Sequence, residues 1–153
     1  GRLDTLAPQF RAIGIEPVSR QHTISSIERM HALVEHFDTP HLRVIYDPVN
    51  LVPWTGIPES DGTFRRVPSD EAQAAFFAAA LDAFGSKIAA LHIKDYRLDD
   101  QGWKIGDLMT GTGVLNWKLL FSMLDERAIE SVGLLENAQP KTMAKTLATL
   151  AAY

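Results

Sequence analysis

The chain has 153 residues, of which 46% are hydrophobic and 22% are charged, and its formal net charge is −4. These values fit one globular domain, and an acidic balance without a basic patch argues against a nucleic-acid partner. The absence of cysteine excludes disulfides and thiolate metal sites. We see no apolar run of the ~20 residues that a membrane span needs and no secretory leader, so we expect a cytoplasmic protein without a membrane partner.

The first part of the chain predicts two strands separated by an amphipathic helix. Residues 2–10 fit the end of a helix or a loop. An apolar run at 11–15 ends before Pro17, which cannot donate a hydrogen bond to a sheet. Residues 25–28 have the pattern of a capping box, and the helix after them repeats apolar residues at 3–4 spacing. Residues 42–46 predict the second strand.

The next part predicts a helix and a strand between two long loops. Residues 50–68 are rich in proline and glycine, and a loop of this length in a compact domain is more often functional than idle. Ser-Asp-Glu at 69–71 opens a helix that we expect to end near Gly85. Residues 88–93 predict the third strand, and residues 95–113 read as the second long loop.

The last part repeats the same alternation. Asn116 can cap a helix that carries Trp117 on its inner face. Residues 132–135 predict the fourth strand, and Pro140 fits the first turn of a final helix.

Strands that alternate with helices imply a parallel sheet with right-handed crossovers. The long loops follow strands and the short turns follow helices, as in a (β/α)₈ barrel, whose active site lies on the loops after the strands. A full barrel takes eight units in about 250 residues. The sequence therefore predicts an α/β fold in which four βα units over residues 1–153 form half of such a barrel, with the other half absent.

Four polar residues stand at the ends of the four predicted strands: Glu16, Asp47, His92 and Glu136. Each has an ordinary explanation alone, as a solvated strand end, a turn residue or a core histidine. Recurrence at one point of four successive units favours a shared site on one rim of the sheet. Carboxylates suit Mg²⁺ or Mn²⁺, and the imidazole admits Co²⁺ or Zn²⁺, so the pattern predicts one divalent metal ion.

Five segments resemble the C-terminal half of the sugar-phosphate isomerase/epimerase superfamily, the xylose isomerase-like TIM barrels. They are GIEP (14–17), YDPVN (46–50), LHIKD (91–95), GTGVLNW (111–117) and GLLEN (133–137). They occur in the order and at the spacing of that family across essentially the whole chain. The resemblance implies an enzyme of carbohydrate metabolism that acts on a sugar or sugar phosphate.

The resemblance also implies roles for individual residues. Glu16, Asp47, His92 and Glu136 would hold the metal. The two glutamates would act as acid and base on opposite faces of a hydroxy-ketone, moving a proton through a metal-stabilised enediolate.

Further residues are carried over as substrate-binding candidates: Asn50, Arg20, His22, Lys94, Arg97 and Trp54. Asn50 stands where the epimerases often have histidine, and His22 stands where ketose epimerases have glutamate. These departures count against a 3-epimerase of free ketoses.

Several readings stay open beside the isomerase or epimerase. A dehydratase or lyase of the inosose type would use the same metal and the same proton abstraction. An endonuclease of the abasic-site type shares the barrel but needs three zinc ions and more histidines. A truncated, catalytically silent assembly or binding module is the fourth reading, because half a barrel leaves two sheet edges unpaired. We therefore expect that the chain alone is a poor enzyme and that its partner is a second copy or the missing N-terminal half.

Overall fold

A computed structural model describes residue 5 and residues 11–153, so most of the segment predicted as a helix end or loop at 2–10 lies outside the described residues. The strands are β1 (Ile13–Ile15), β2 (Leu42–Tyr46), β3 (Ile88–Ile93), β4 (Asp95–Leu98), β5 (Lys104–Leu108) and β6 (Val132–Leu135). The helices are α1 (Ile27–Phe37), α2 (Pro48–Leu51), α3 (Asp70–Phe84), α4 (Trp117–Glu126) and α5 (Pro140–Leu150).

Four strands form a parallel sheet in the order β1-β2-β3-β6, which confirms the predicted α/β architecture. Ile13 pairs with Leu42, and His92 pairs with Leu134. The register between β2 and β3 shifts between Val44 and Ile45. Each crossover between neighbouring strands carries a helix, so the four carboxyl ends meet at one rim of the sheet, as in part of a (β/α) barrel.

Polar side chains cap the starts of α1, α3 and α4, as Asp47 does for α2. Ser26 accepts a hydrogen bond from the backbone N–H of Arg29, and Ser69 does the same for Ala72. Asn116 accepts one from the N–H of Leu119, as its predicted capping role requires. These side chains satisfy N–H groups that have no partner inside the helix.

The core lies between the sheet and the helices on one of its faces. Its largest fully buried side chains include Trp117, Tyr46, Phe77, Phe84 and Met30. Burial of each large apolar side chain stabilises the fold by roughly 1.5–3 kcal/mol. The indole Nε1–H of Trp117 also donates to the carbonyl of Lys94 at 3.0 Å, which ties α4 to the end of β3.

Two segments predicted as loops contain regular structure. Residues 95–113 hold an antiparallel hairpin of β4 and β5, which forms a separate two-stranded sheet. Gly102, with φ of +83°, makes the turn between them. The loop predicted at 50–68 begins inside α2, a single turn with Pro48 at its start. The strands were missed because β4 and β5 mix charged with apolar residues. The helix α2 was missed because it is a single turn of four residues.

The two end strands of the sheet are β1 and β6. On β6, the side chains of Val132 and Leu134 are 64% and 46% exposed. Over the part of the chain that the structure describes, no helix combines the length and apolar character of a bilayer-crossing segment.

Candidate metal centre

The four residues predicted as metal ligands all lie at the carboxyl ends of the parallel strands. Glu16 directly follows β1, Asp47 follows β2, and Glu136 follows β6, whereas His92 is the last residue but one of β3. Because of the strand order, the two glutamates flank the site and Asp47 and His92 lie between them.

The three carboxylates of the group converge on the imidazole of His92. Its Nδ1 lies 3.0 Å from Glu136 Oε1, 3.2 Å from Glu16 Oε1 and 3.8 Å from Asp47 Oδ2. Glu16, Asp47 and His92 each offer a ligand atom within 4.8 Å of the others. Glu136 approaches this group from the β6 side. The structure thus brings the predicted residues together, and their role as ligands stays a prediction.

Asp47 is the most buried member of the group, with a fully buried side chain. Its Oδ1 accepts the backbone N–H of Asn50 at 2.9 Å and so caps α2. Its Oδ2 lies 2.8 Å from Lys94 Nζ as an ion pair, without the geometry of a directed hydrogen bond. Burial raises the pKa of Asp47 to about 6, although Lys94 and Asn50 favour its charged form.

Lys94 lies beneath the group and contacts three carboxylates. Its Nζ is 2.7 Å from Glu136 Oε2, 2.8 Å from Asp47 Oδ2 and 3.0 Å from Asp107 Oδ1. Burial alone would lower the pKa of Lys94, but its close contacts with the carboxylates of Asp47 and Glu136 raise it instead. The lysine is therefore a permanent positive charge in the site.

The donor set suits a hard or borderline divalent cation. Three carboxylates and one imidazole nitrogen are ligands that Mg²⁺, Mn²⁺, Co²⁺ and Zn²⁺ accept. The three carboxylates, Lys94 and the Asp107 carboxylate that contacts it sum to about −3, so the site attracts a dication. The buried Oδ2 of Asp47 lacks a directed hydrogen bond but pairs with the Lys94 ammonium, so a metal ion would compete with that ammonium for this oxygen.

A pocket of about 130 Å³ lies beside the four clustered residues. Its walls are Val18, Ser19, Gln21, Val49, Asn50, Trp54, Lys104, Gly106 and Asp107. Asn50 lines the pocket and also contacts Glu16, because its Nδ2 donates to Glu16 Oε1 at 2.7 Å. Two predicted substrate-binding residues, Asn50 and Trp54, therefore line the same pocket.

The other substrate-binding candidates do not line this pocket. His22 lines a shallow depression together with Glu16. Arg20 is exposed and adopts a left-handed backbone with φ of +63°. Arg97 is exposed on β4, opposite Ile105 of β5. Their roles as substrate ligands stay predictions.

Two charged residues of the hairpin were missed by the sequence analysis. Asp107 reaches Lys94, as described above. Lys104 Nζ donates to the carbonyls of Val49 at 2.9 Å and Val52 at 2.7 Å, and it lies 5.4 Å from the centre of the Trp54 ring. Burial lowers the pKa of Lys104 to about 8. Both were missed because the segment was interpreted as a loop.

Asp95, the acidic residue of the LHIKD segment, is buried next to the site but points into a loop. It accepts hydrogen bonds from the backbone N–H groups of Tyr96 (2.9 Å), Leu115 (3.0 Å) and Gly111 (3.1 Å). Burial raises the pKa of Asp95, and these hydrogen bonds oppose that shift. The GTGVLNW segment therefore wraps around a carboxylate and fixes the loop that follows the hairpin.

Two larger depressions, of about 500 and 540 Å³, lie elsewhere. Gly85 and Ile88 line one, and Phe121 and Gly133 line the other. None of the four clustered residues lines either depression. The chemistry-bearing residues are thus concentrated at the rim with the smaller pocket.

Comparison with known proteins places this geometry in context. The sequence model of a family described as "xylose isomerase-like TIM barrel" matches residues 2–153. The chain is similar to the structure of a xylose isomerase domain protein from Planctomyces limnophilus, with 17% identity and a TM-score of 0.66. It is also similar to the apo structure of the 3-keto-D-glucoside 4-epimerase YcjR from E. coli, with 19% identity and a TM-score of 0.63.

These alignments cover 98% and 99% of this chain but only 47% and 50% of the two structures. The chain thus spans about half the length of the structures that it matches. At these identities the likeness speaks for the fold alone. The search of curated proteins returned no match.

Proposed function

This chain belongs to the xylose isomerase-like TIM-barrel family, and we propose that it contributes the metal site of a divalent-metal-dependent sugar or sugar-phosphate isomerase or epimerase. Family membership and a sugar epimerase among the similar structures support an isomerase or epimerase kind of function. The metal dependence and the proton-transfer mechanism go beyond this support, and we propose them from the geometry of the site.

The observation that carries the proposal is the different exposure of the four clustered side chains. Glu16 and Glu136 flank the imidazole and are 23% and 33% exposed, whereas Asp47 is fully buried. The glutamates are open to a small molecule and the aspartate is not. This favours two glutamates that exchange protons with a substrate and an aspartate that only ligates.

The chain's own residues would hold and move the proton. One glutamate carboxylate would take a proton from the carbon next to the substrate carbonyl, and the other would return it on the opposite face or at the neighbouring carbon. Asn50 holds Glu16 by a 2.7 Å hydrogen bond and so orients it. A bound divalent ion would polarise the carbonyl and stabilise the developing negative charge.

We further propose that Asn50 and Trp54 contact the substrate in the pocket beside Glu16. An amide can exchange hydrogen bonds with sugar hydroxyls, and an indole face packs well against the C–H groups of a sugar ring. Arg20, His22 and Arg97 remain proposed as outer contacts on the exposed side of this rim.

We also propose that residues 1–153 form the C-terminal half of a barrel and that the other half comes from another segment or a second copy. The coverage of the two similar structures supports this proposal, as do the exposed apolar residues of β6. A complementary half would provide the opposite wall of the pocket and exclude water from it.

The test is exchange of solvent deuterium at the carbon next to the carbonyl. The wild type is assayed as this chain and as the complete gene product, with Mn²⁺ and a panel of ketoses, ketose phosphates and inososes. We expect exchange in the complete product and its loss in Glu16→Gln and Glu136→Gln. Glu35→Gln, at an exposed position of α1, is the matched control.

Undiminished exchange in both active-site variants would overturn the proposed roles of the two glutamates. Exchange accompanied by loss of water from an inosose would instead point to a dehydratase on the same site.

A further inference from the structure

Lys94 occupies a position that the proposed reaction does not explain. Its side chain is only 4% exposed, and its ammonium is enclosed by the carboxylates of Asp47, Glu136 and Asp107 at 2.7–3.0 Å. Its carbonyl is held by the Trp117 indole at 3.0 Å. A side chain anchored in this way is poorly placed to reach a sugar, in contrast to the substrate contact predicted from the sequence.

The Lys94 ammonium contacts one of the two carboxylate oxygens of Glu136, a proposed metal ligand. Glu136 Oε1 faces His92 Nδ1 at 3.0 Å, while Glu136 Oε2 faces Lys94 Nζ at 2.7 Å. The lysine thus fixes the plane of this carboxylate and leaves one oxygen directed at the site.

A similar restraint acts on Asp47. Its Oδ1 is held by the N–H of Asn50 at 2.9 Å, and its Oδ2 lies 2.8 Å from Lys94 Nζ. One positive charge therefore contacts two of the four proposed ligands, and it touches the very oxygen of Asp47 that lies nearest to His92.

We propose that Lys94 is a positioning residue and the built-in counter-charge of the metal site: it orients Asp47 and Glu136 before metal binding and weakens the binding of the dication by competing for the same oxygens. This inference rests on the proposed function, because it takes Glu16, Asp47, His92 and Glu136 as the ligands. Asp107, on the hairpin, provides a carboxylate that still balances the ammonium when the other two bind metal.

Two effects oppose each other when this charge is removed. The carboxylates regain some rotamer freedom, which weakens metal binding by a few-fold. The dication also no longer competes with a positive charge that contacts two of its ligand oxygens in partly buried surroundings, which strengthens binding by more than that. We therefore expect tighter metal binding together with a less stable metal-free protein, whose buried Asp47 has lost its counter-ion.

The test measures Mn²⁺ affinity by calorimetry and the melting temperature with and without Mn²⁺. We expect Lys94→Met to bind Mn²⁺ at least about tenfold more tightly. We also expect it to melt at least about 5 °C lower without metal and to gain more from Mn²⁺ than the wild type does. Lys94→Arg keeps the charge and should stay within a few-fold of the wild-type affinity. Lys87→Met, just before β3 at the opposite end of the sheet, is the control for loss of a lysine.

Lys94→Gln, whose amide can still donate a hydrogen bond, repeats the measurement if Lys94→Met does not fold. Unchanged or weaker Mn²⁺ binding in the neutral variants would overturn the proposal that Lys94 is a counter-charge. A loss of sugar binding without a change in Mn²⁺ affinity would overturn it as well. A wild type that binds no Mn²⁺ at all would instead overturn the proposed function and, with it, this inference.

Discussion

The carboxylate of Asp95 occupies the space that any side chain at position 113 would need. A Cβ built on Gly113 would lie 2.2 Å from Asp95 Oδ1 and 2.2 Å from the carbonyl oxygen of Tyr96. The same Oδ1 accepts the N–H groups of Tyr96 and Leu115. The glycine and the buried carboxylate therefore hold the end of the hairpin and the start of α4 together.

Gly113→Ala should be strongly destabilising. The added methyl group would meet backbone and a buried carboxylate, neither of which can move aside without loss of hydrogen bonds, so we expect a cost of about 3 kcal/mol or more. Urea denaturation measures it. Gly106→Ala is the control, because its Cβ would meet Val49 Cγ1 at an ordinary 3.6 Å. Equal stability of the two variants would contradict this packing argument.

Removal of divalent metal should lower the melting temperature. Glu16, Asp47 and Glu136 all lie within 3.8 Å of His92 Nδ1, and the single charge of Lys94 offsets only part of the repulsion among the three carboxylates. Thermal melting is followed after chelation and again after addition of Mn²⁺ or Mg²⁺. At a metal concentration of 100 times Kd, the restored stability should be about 2.7 kcal/mol. An unchanged melting temperature at saturating metal would count against a bound ion.

Metal affinity should weaken as the pH falls below about 6. The pKa of Asp47 is raised to about 6 by burial, so protons compete with a metal ion for this carboxylate in that range. Below that pKa, apparent affinity should drop by roughly tenfold for each pH unit that Asp47 alone controls. Calorimetric titrations with Mn²⁺ at pH 5, 6 and 7 measure the trend. Affinity that is flat over this range would show that Asp47 does not bind the ion.

Stability should rise with pH between about 8 and 10.5 because of Lys104. Its pKa is lowered to about 8 in the folded protein, so the unfolded chain binds more protons in this window and deprotonation favours folding. The slope should lie below about 1.4 kcal/mol per pH unit, since the partly exposed ammonium is screened by solvent.

Lys104→Met should lack this contribution to the rise, as measured by urea denaturation at pH 7.5, 9 and 10. A variant with the same pH dependence as the wild type would show that Lys104 keeps an ordinary pKa.

The parallel sheet could be predicted from the sequence because its strands are short apolar runs with clear stops. The predicted second, third and fourth strands have the observed bounds, whereas β1 is shorter than its apolar run and starts at Ile13. The hairpin could not be predicted, because β4 and β5 mix charged and apolar residues and their pairing shifts between Asp95 and Arg97. Asp107, with φ of +60°, further obscures the strand pattern.

The position of the site could be predicted for the same reason, since parallel strands put their carboxyl ends at one rim. The contacts between side chains within the site could not be predicted from the sequence. The sequence offered Lys94 as a substrate contact, and only the folded chain places its Nζ between Asp47, Glu136 and Asp107. Sequence spacing gives the strand end at which a side chain starts, not the partners that it reaches.

Because β4 and β5 form their own two-stranded sheet, we expect β5 to unfold locally without opening the four-stranded sheet. Lys104 fastens β5 to the body through the carbonyls of Val49 and Val52, and the Asp107–Lys94 ion pair adds a further contact. β4, in contrast, is anchored in the core by the buried side chains of Tyr96 and Leu98. Every residue of β5 is at least partly exposed, so its contacts can break while β2 and β3 stay paired, and its amide protons should exchange with solvent before those at the centre of the sheet. Each such local opening would expose the buried ammonium of Lys94 to water while Glu16, Asp47, His92 and Glu136 keep their places.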